Sequence, residues 1–362
     1  MKNLICNHIL IISLILINGL ITVSAQDTVI KDIEQIKEQN ENLRHRLDVL
    51  EKNIDDILWF QRVGDAAFID KVFLTGPPLW KEKNPDAQGA GNPTKFWSYV
   101  FIPKNIDFAQ KYPLVVFPHG GVHSNFSTYY THIIKELLAQ QYIVVAAEYR
   151  GSTGYGRGHY EKIDYGGLEV EDVDESRNFM IENYEFVDAE RVGIFGWSHG
   201  GLIALMNIFR YPDNYKVAFA GVPVSDLIAR MGYKDQSYRD LFEADYHIGQ
   251  SADDNVEEYR RRSPVWHADK LETPLLIHTN TNDEDVNVLE VESMINALKA
   301  AGKEFEYEIF KDLPGGHSFD RLDTKKAKQI RLKIYNFINK YLNPPKPIKS
   351  INDINRAAYF VK

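Results

Sequence analysis

Cysteine is all but missing from this chain. Of its 362 residues one is cysteine, Cys6. Beyond that position the sequence can form no disulfide, hold no metal through thiolates and use no cysteine nucleophile. Cys6 also precedes the apolar run Ile9–Leu20. A bacterial lipid anchor needs its cysteine just after such a run, so lipidation is not expected. An excess of positive charge is absent as well. Lys and Arg total 42 against 51 for Asp and Glu, a formal net charge of -9. That balance leaves no footprint for nucleic acid. Long apolar runs are scarce, and Ile9–Leu20 is short for a bilayer span. With Lys2 before it and Val23-Ser24-Ala25 after it, the run has the layout of a secretory signal peptide over residues 1–25. The expectation is a secreted or periplasmic protein, with no stable membrane insertion after signal cleavage. What remains is ordinary in composition, 44% hydrophobic and 26% charged, and so should bury a core.

A heptad pattern follows. Val29, Ile33, Ile36, Asn40, Leu43, Leu47, Leu50, Ile54 and Ile57 are spaced alternately four and three apart. With Ile33 at a, the a positions are Ile33, Asn40, Leu47 and Ile54, and the d positions Ile36, Leu43, Leu50 and Ile57. One Asn at a favours a dimer in fixed register. In a parallel pair Asp32 at g faces Lys37 at e, and Arg46 faces Glu51; both pairs are opposite in sign. The expectation is a coiled-coil helix over residues 26–60, pairing two copies through residues 29–57. The alternative is one amphipathic helix lying on its own catalytic domain.

Residues 61–94, rich in Gly, Pro and Asn toward their end, read as a linker. From residue 95 to 345 strands and helices alternate. Strands are expected at Phe96–Ile102, Leu114–Phe117, Ile143–Glu148, Arg191–Phe195, Val217–Val222, Leu275–His278 and Phe305–Phe310. Helices are expected at Tyr130–Ala139, Val173–Asn183, Leu202–Phe209, Leu289–Ala300 and Lys328–Tyr341. Continuous apolar strands alternating with helices imply an α/β fold, a mostly parallel sheet covered on both faces. Residues 346–362 read as an extended surface tail.

The strand Arg191–Phe195 runs into Gly196-Trp197-Ser198-His199-Gly200-Gly201 and then a helix. A serine at such a turn sits on a sharp bend, with its hydroxyl lifted clear and its backbone at a helix N-terminus. Ser198 is the expected nucleophile. A serine hydroxyl needs a base, and the base an orienting carboxylate. In α/β-hydrolases the order is serine, acid, histidine. His317, in Gly315-Gly316-His317-Ser318, supplies the base; the rival His278 lies inside a strand. The acid comes from Asp283-Glu284-Asp285, with Asp283 favoured and Asp285 the alternative. Both segments follow strand ends, where open α/β sheets build their sites. The oxyanion needs donors. His199 offers its backbone N–H, and the loop Pro118-His119-Gly120-Gly121 offers that of Gly121. His119 and His123 lack a nearby carboxylate at a matching spacing, so no metal or other cofactor is expected.

These segments resemble the catalytic domain of the prolyl oligopeptidase family of serine peptidases. The likeness rests on Pro118-His119-Gly120-Gly121, on Tyr149-Arg150-Gly151-Ser152-Thr153-Gly154-Tyr155-Gly156, on the Ser198 turn, on Asp283-x-x-Val286 and on Gly316-His317-Ser318-Phe319. Ser263-Pro264 before Thr273-Pro274-Leu275-Leu276 also fits. By position the resemblance implies Ser198, Asp283 and His317 as the triad, and the Arg150 loop as structural support beside it. Two departures stand out. The family usually carries a β-propeller that filters substrates by size, and in dipeptidyl peptidases it holds glutamates that bind a free amino terminus. Roughly 70 residues of the mature chain precede the hydrolase domain here, too few for a propeller. Dipeptidyl peptidase activity thereby loses its support. Asn280 replaces the usual Gly after the acid strand.

The expected function is therefore a serine hydrolase, a peptidase of short peptides working through an acyl-enzyme. The alternative is a carboxylesterase or carbohydrate esterase with the same triad, since the site does not fix the leaving group. The insertion Ser225–Arg262, with Tyr233, Tyr238, Phe242, Tyr246 and Tyr259, either lines the substrate pocket or packs on itself.

Overall fold

Apolar runs bounded by turn residues become strands here, and the periodic segments between them become helices. The structure is a computed structural model. It describes residues 29–121 and 123–359 with side chains and residues 2–28 as backbone. The signal peptide expected over residues 1–25 lies outside the residues whose side chains are described. The strands are β1 (Ala67–Gly76), β2 (Thr94–Pro103), β3 (Tyr112–Val116), β4 (Ile143–Glu148), β5 (Val187–Trp197), β6 (Val217–Gly221), β7 (Leu275–Asn280) and β8 (Glu306–Phe310). They form one sheet in the order β1-β2-β4-β3-β5-β6-β7-β8. β2 runs antiparallel to β1 and β4, and the rest of the sheet is parallel.

The helices are α1 (Lys2–Val63), α2 (Thr131–Ala139), α3 (Arg157–Tyr160), α4 (Glu169–Asn183), α5 (His199–Arg210), α6 (Leu227–Tyr233), α7 (Gln236–Glu243), α8 (Val256–Arg261), α9 (Val288–Ala300), α10 (Lys325–Leu342) and α11 (Ile351–Ala358). Successive strand residues point to opposite faces, and the core divides accordingly. Leu114 and Val116 of β3 join α4, α5 and α9 on one side. Val115 between them joins Trp59 of α1, Ile133 of α2, Ile334 of α10 and Ile354 of α11 on the other. This is the α/β-hydrolase arrangement, preceded by a long helix.

Two segments differ from expectation. Residues 61–94 are not all linker. α1 continues to Val63, and β1 pairs with β2 along ten residues. Its outer face stays partly exposed, so the apolar alternation that marks a strand is weak. The tail is not extended. Ser350 caps α11 by accepting from the Asp353 N–H, and Ile348 and Ile354 are buried.

α1 has two faces. The seam residues from Val29 to Ile57 are exposed, from 48% at Ile33 to 69% at Ile57. The opposite stripe, His45, Lys52 and Trp59 at intervals of seven, is buried on the chain's own domain. The helix does lie on the domain, but not through its apolar seam. Trp59 stacks on Phe126 with centroids 5.5 Å apart and meets Phe101 edge-on at 5.0 Å. Burying one such aromatic side chain is worth about 2–3 kcal/mol, and this contact fixes the end of α1.

Candidate active site

The turn after β5 bends sharply at Ser198, with φ 57° and ψ -123°. A non-glycine residue holds positive φ at a cost, and such strain gathers at functional sites. Hydrogen bonds hold the bend in place. Ser198 N–H donates to Gly221 O at 2.9 Å, and Ser198 O accepts from Leu202 N–H at 3.0 Å. The crossing is too tight for side chains. A Cβ at Gly196 would stand 2.3 Å from Gly200 O. Those contacts give the Gly-x-Ser-x-Gly spacing its physical reason.

The loop after β3 packs against this turn. A Cβ on Gly120 would lie 3.3 Å from Ser198 Cβ. Gly121 has φ +85°, a conformation that favours glycine. His199 joins the two segments. Its Nδ1 donates to Gly121 O at 3.0 Å, and its Nε2 bonds to Glu169 of α4 at 3.0 Å. Its ring also stacks on Tyr165, centroids 3.7 Å apart. Burial raises the Glu169 carboxyl's pKa, but His199 and the Gly166 N–H outweigh it and hold the group below its ordinary value. The His199 ring thus links the Gly121 carbonyl of the loop to the Glu169 carboxyl of α4.

Asp283 and His317 meet past the ends of β7 and β8. His317 Nδ1 lies 2.8 and 3.0 Å from the Asp283 carboxylate oxygens. Asp283 Oδ1 also accepts from the N–H groups of Asp285 and Val286, each at 2.8 Å, which explains the Asp-x-x-Val spacing. The Asp283 side chain is fully buried, whereas that of Asp285 is 42% exposed. Asp285 bonds to Arg230 at 3.1 Å and to Lys234. Burial tends to raise its pKa, but the charges of Arg230, Lys234 and His317 hold it below the usual range. The histidine loop is tied to the Ser198 turn. Trp197 Nε1 donates to Asp320, three residues past His317, at 2.7 Å.

The remaining histidines have other partners. His278 packs edge-on between Phe219 and Phe310, and burial pushes its pKa down to about 3. His119 bonds to Ser152 Oγ at 2.9 Å and stacks on Tyr149. His123 bonds to Gly151 O at 2.9 Å and stacks on Tyr160. Arg150 forms a two-pronged bond with Asp172, at 2.8 and 2.7 Å, and reaches Pro77 O at 2.8 Å. It braces the loop before β2 and touches neither Asp283 nor His317.

The insertion does two jobs. Phe242 and Tyr259 are buried in the core. Tyr246, with Trp80, Lys83, Glu161 and Ile163, lines a cavity of about 810 Å³. Tyr246 also approaches Tyr160, the ring on which His123 stacks. Ser198, Asp283 and His317 are not among the residues that line it. Sequence reasoning missed Glu169, Arg230 and Lys52. Each is a charged residue on a helix, and no local spacing separates such a residue from a solvated one.

Comparison with known proteins places the chain among peptidases. The model of the prolyl oligopeptidase family matches residues 128–345. The uncharacterized peptidase YuxL of Bacillus subtilis is 30% identical over 247 residues, 68% of this chain and 36% of that protein. A solved puromycin-hydrolyzing peptidase of Mycobacterium tuberculosis is 27% identical with a TM-score of 0.58, over 70% of this chain and 38% of that one. An acylaminoacyl peptidase of Pyrococcus horikoshii shares the fold, with a TM-score of 0.62 at 20% identity, over 79% of this chain and 44% of that one. The chain thus spans well under half the length of these relatives.

Proposed function

Because this chain belongs to the prolyl oligopeptidase family of serine peptidases, we propose that it cleaves short peptides through an acyl-enzyme on Ser198. The hydrogen-bonded Asp283–His317 pair, on a loop that Trp197 ties to the strained Ser198 turn, carries this reading. Asp283 fixes the imidazole with Nδ1–H toward itself, which leaves Nε2 free to act as base. Nε2 makes no hydrogen bond among the described residues; such bonds often tighten only when substrate arrives. His317 takes the Ser198 proton as Oγ attacks the carbonyl carbon. The N–H groups of Gly121 and His199 receive the oxyanion. His317 then protonates the leaving amine, and water, activated by the same nitrogen, releases the acyl group and restores Ser198.

The described residues form one eight-stranded sheet and no propeller, so no propeller filter stands over the site in this part of the chain. The cavity of about 810 Å³ that Tyr246 of the insertion helps to line is within the range that holds small ligands. The Mycobacterium tuberculosis relative hydrolyses puromycin, itself a small amide. Small aminoacyl amides are therefore the first substrates to test. Aminoacyl-naphthylamides and p-nitrophenyl esters should be assayed in parallel, with Ser198→Ala as control. Amide turnover that the control abolishes supports the peptidase; turnover of esters alone overturns it in favour of the esterase.

Export and pairing complete the proposal. The signal pattern of residues 1–25 supports a secreted or periplasmic location. Fusing residues 1–30 to a reporter active only after export tests it. The exposed seam of α1 supports a parallel homodimer through residues 29–57. Asp32, Lys37, Arg46 and Glu51 are exposed, and among the described residues none forms an ion pair within the chain. Their charges are free to meet a second copy. The docked stripe lies on the other side of the helix, so pairing leaves each domain in place.

A further inference from the structure

Lys52 is an unusual residue to bury. It lies on α1, seven residues from both His45 and Trp59, and is 2% exposed. A lysine loses strong hydration on burial unless its donors are matched. Here all three are. Nζ donates to Phe126 O at 2.6 Å, to Glu148 at 2.7 Å and to Asn125 Oδ1 at 3.3 Å. The ammonium also lies 4.7 Å from the centre of the Tyr99 ring. Glu148, at the end of β4, is wholly buried, and its two oxygens accept from the Phe126 N–H at 3.2 Å. The residue Phe126 is thus gripped at both of its backbone polar groups, the N–H by Glu148 and the C=O by Lys52.

The grip extends along one loop. Asp55, one turn past Lys52, accepts from Thr128 N–H at 3.0 Å and from its hydroxyl at 2.6 Å. Trp59, one turn further, stacks on the Phe126 ring. At the start of the loop the Tyr149 hydroxyl donates to His119 O at 2.8 Å, and His119 Nε2 bonds to Ser152 Oγ at 2.9 Å. The segment from His119 to Thr128 contains Gly121. It is pinned near its start by Tyr149 and Ser152 and at its end by three side chains of α1. Between these pins the backbone turns through Gly121 at positive φ, where small shifts redirect its N–H.

We propose that Lys52 is a positioning residue for the oxyanion loop, so that α1 is a working part of the active site. Lys52 touches no reacting atom. It acts through Phe126 and Glu148 by holding the loop at the distance from Ser198 that aims the Gly121 N–H. The face of α1 opposite the seam therefore serves catalysis, and the seam itself is left for assembly.

The test uses the full chain with Lys52→Met, and with Lys52→Met/Glu148→Gln, which removes the uncompensated buried charge and keeps an acceptor for the Phe126 N–H. Two readouts are compared: kcat and KM for the best substrate, and inhibition by a peptide aldehyde, which forms a tetrahedral oxyanion on Ser198. Removing one oxyanion donor costs about 10²–10³ in kcat. Loosening one should cost about 10- to 100-fold, with KM changed less than threefold and the aldehyde weakened by the same factor as kcat. A role in folding alone would lower the amount of folded enzyme without weakening the aldehyde against the folded fraction. Either variant, folded by circular dichroism, with unchanged kcat and aldehyde affinity overturns the proposal. The inference rests on Ser198 chemistry. A wild-type enzyme that hydrolyses substrate but ignores the aldehyde overturns both.

Discussion

Asp285 Oδ2 stands 3.7 Å from Nε2 of His317, across the ring from Asp283, which bonds to Nδ1 at 2.8 Å. Two carboxylates therefore flank one imidazole, and their surroundings separate their roles. Asp283 is buried and held by two backbone N–H groups, so it can fix the tautomer. Asp285 is half-exposed and shares its charge with Arg230 and Lys234. Asp283→Asn should lower kcat by about 10³–10⁴-fold through the wrong tautomer. Asp285→Asn should change kcat by less than tenfold. Steady-state kinetics of both variants decide, and the reverse order would reassign the acid.

The His199–Glu169 pair yields a second prediction. Both groups are about 1% exposed, and removing one partner of a buried pair is strongly destabilising. Glu169→Gln should lower the unfolding free energy by about 3 kcal/mol, read by urea denaturation. His199→Phe/Glu169→Leu should recover much of that stability, because both buried partners are replaced together and neither is left unpaired. It should not recover turnover, because Gly121 O then has no donor and the loop is less well aimed. A double variant with normal kcat would show that the pair serves folding alone.

The sheet is legible in the sequence because its strands are apolar throughout. β4 spans the expected Ile143–Glu148. β1 escapes the pattern, since its exposed edge carries charged residues among its apolar ones. α11 is hidden by the prolines before it and by a short amphipathic pattern of eight residues. At the site, Ser198, Asp283 and His317 stand out because turns and strand ends constrain their spacing. Their supports do not. Glu169 reaches His199 across 30 residues and Lys52 reaches Phe126 across 74. Such pairs exist only once the sheet has brought the segments together, and nothing local announces them.

Buried histidines should make the fold acid-sensitive. Burial pushes His278 and His119 down to about 3, and His123 and His159 down to about 4. Unfolded, each titrates near 6.5. Below that value the unfolded chain binds more protons, so stability falls as pH drops, by about 1.4 kcal/mol per pH unit for each group. The loss levels off near the folded pKa. Glu148 and Asp172 work the other way, because burial raises their carboxyls. The difference between two chains isolates one histidine. His278→Leu should flatten the dependence by about 1.4 kcal/mol per unit between roughly pH 6 and 4, and leave kcat within a factor of about two. Urea titrations across that range measure the first, and a large fall in kcat would reinstate His278 as a candidate base.

The seam of α1 sets the last prediction. Leu43 and Leu50 occupy d positions on the exposed face, at 52% and 58% exposure, while Trp59 and Lys52 hold the helix down from the other side. Replacing both leucines by lysine removes apolar contact between copies and places like charges opposite one another. Within a single chain these side chains contact little, so the domain should keep its stability to within about 0.5 kcal/mol. In a pair, each buried leucine contributes about 1.5–3 kcal/mol, and four are lost across the interface. Leu43→Lys/Leu50→Lys should therefore convert a dimer to a monomer by light scattering at micromolar concentration, with kcat kept because the Lys52 face is untouched. A wild-type chain that is already monomeric, or a variant that stays paired, would remove the seam as the assembly surface.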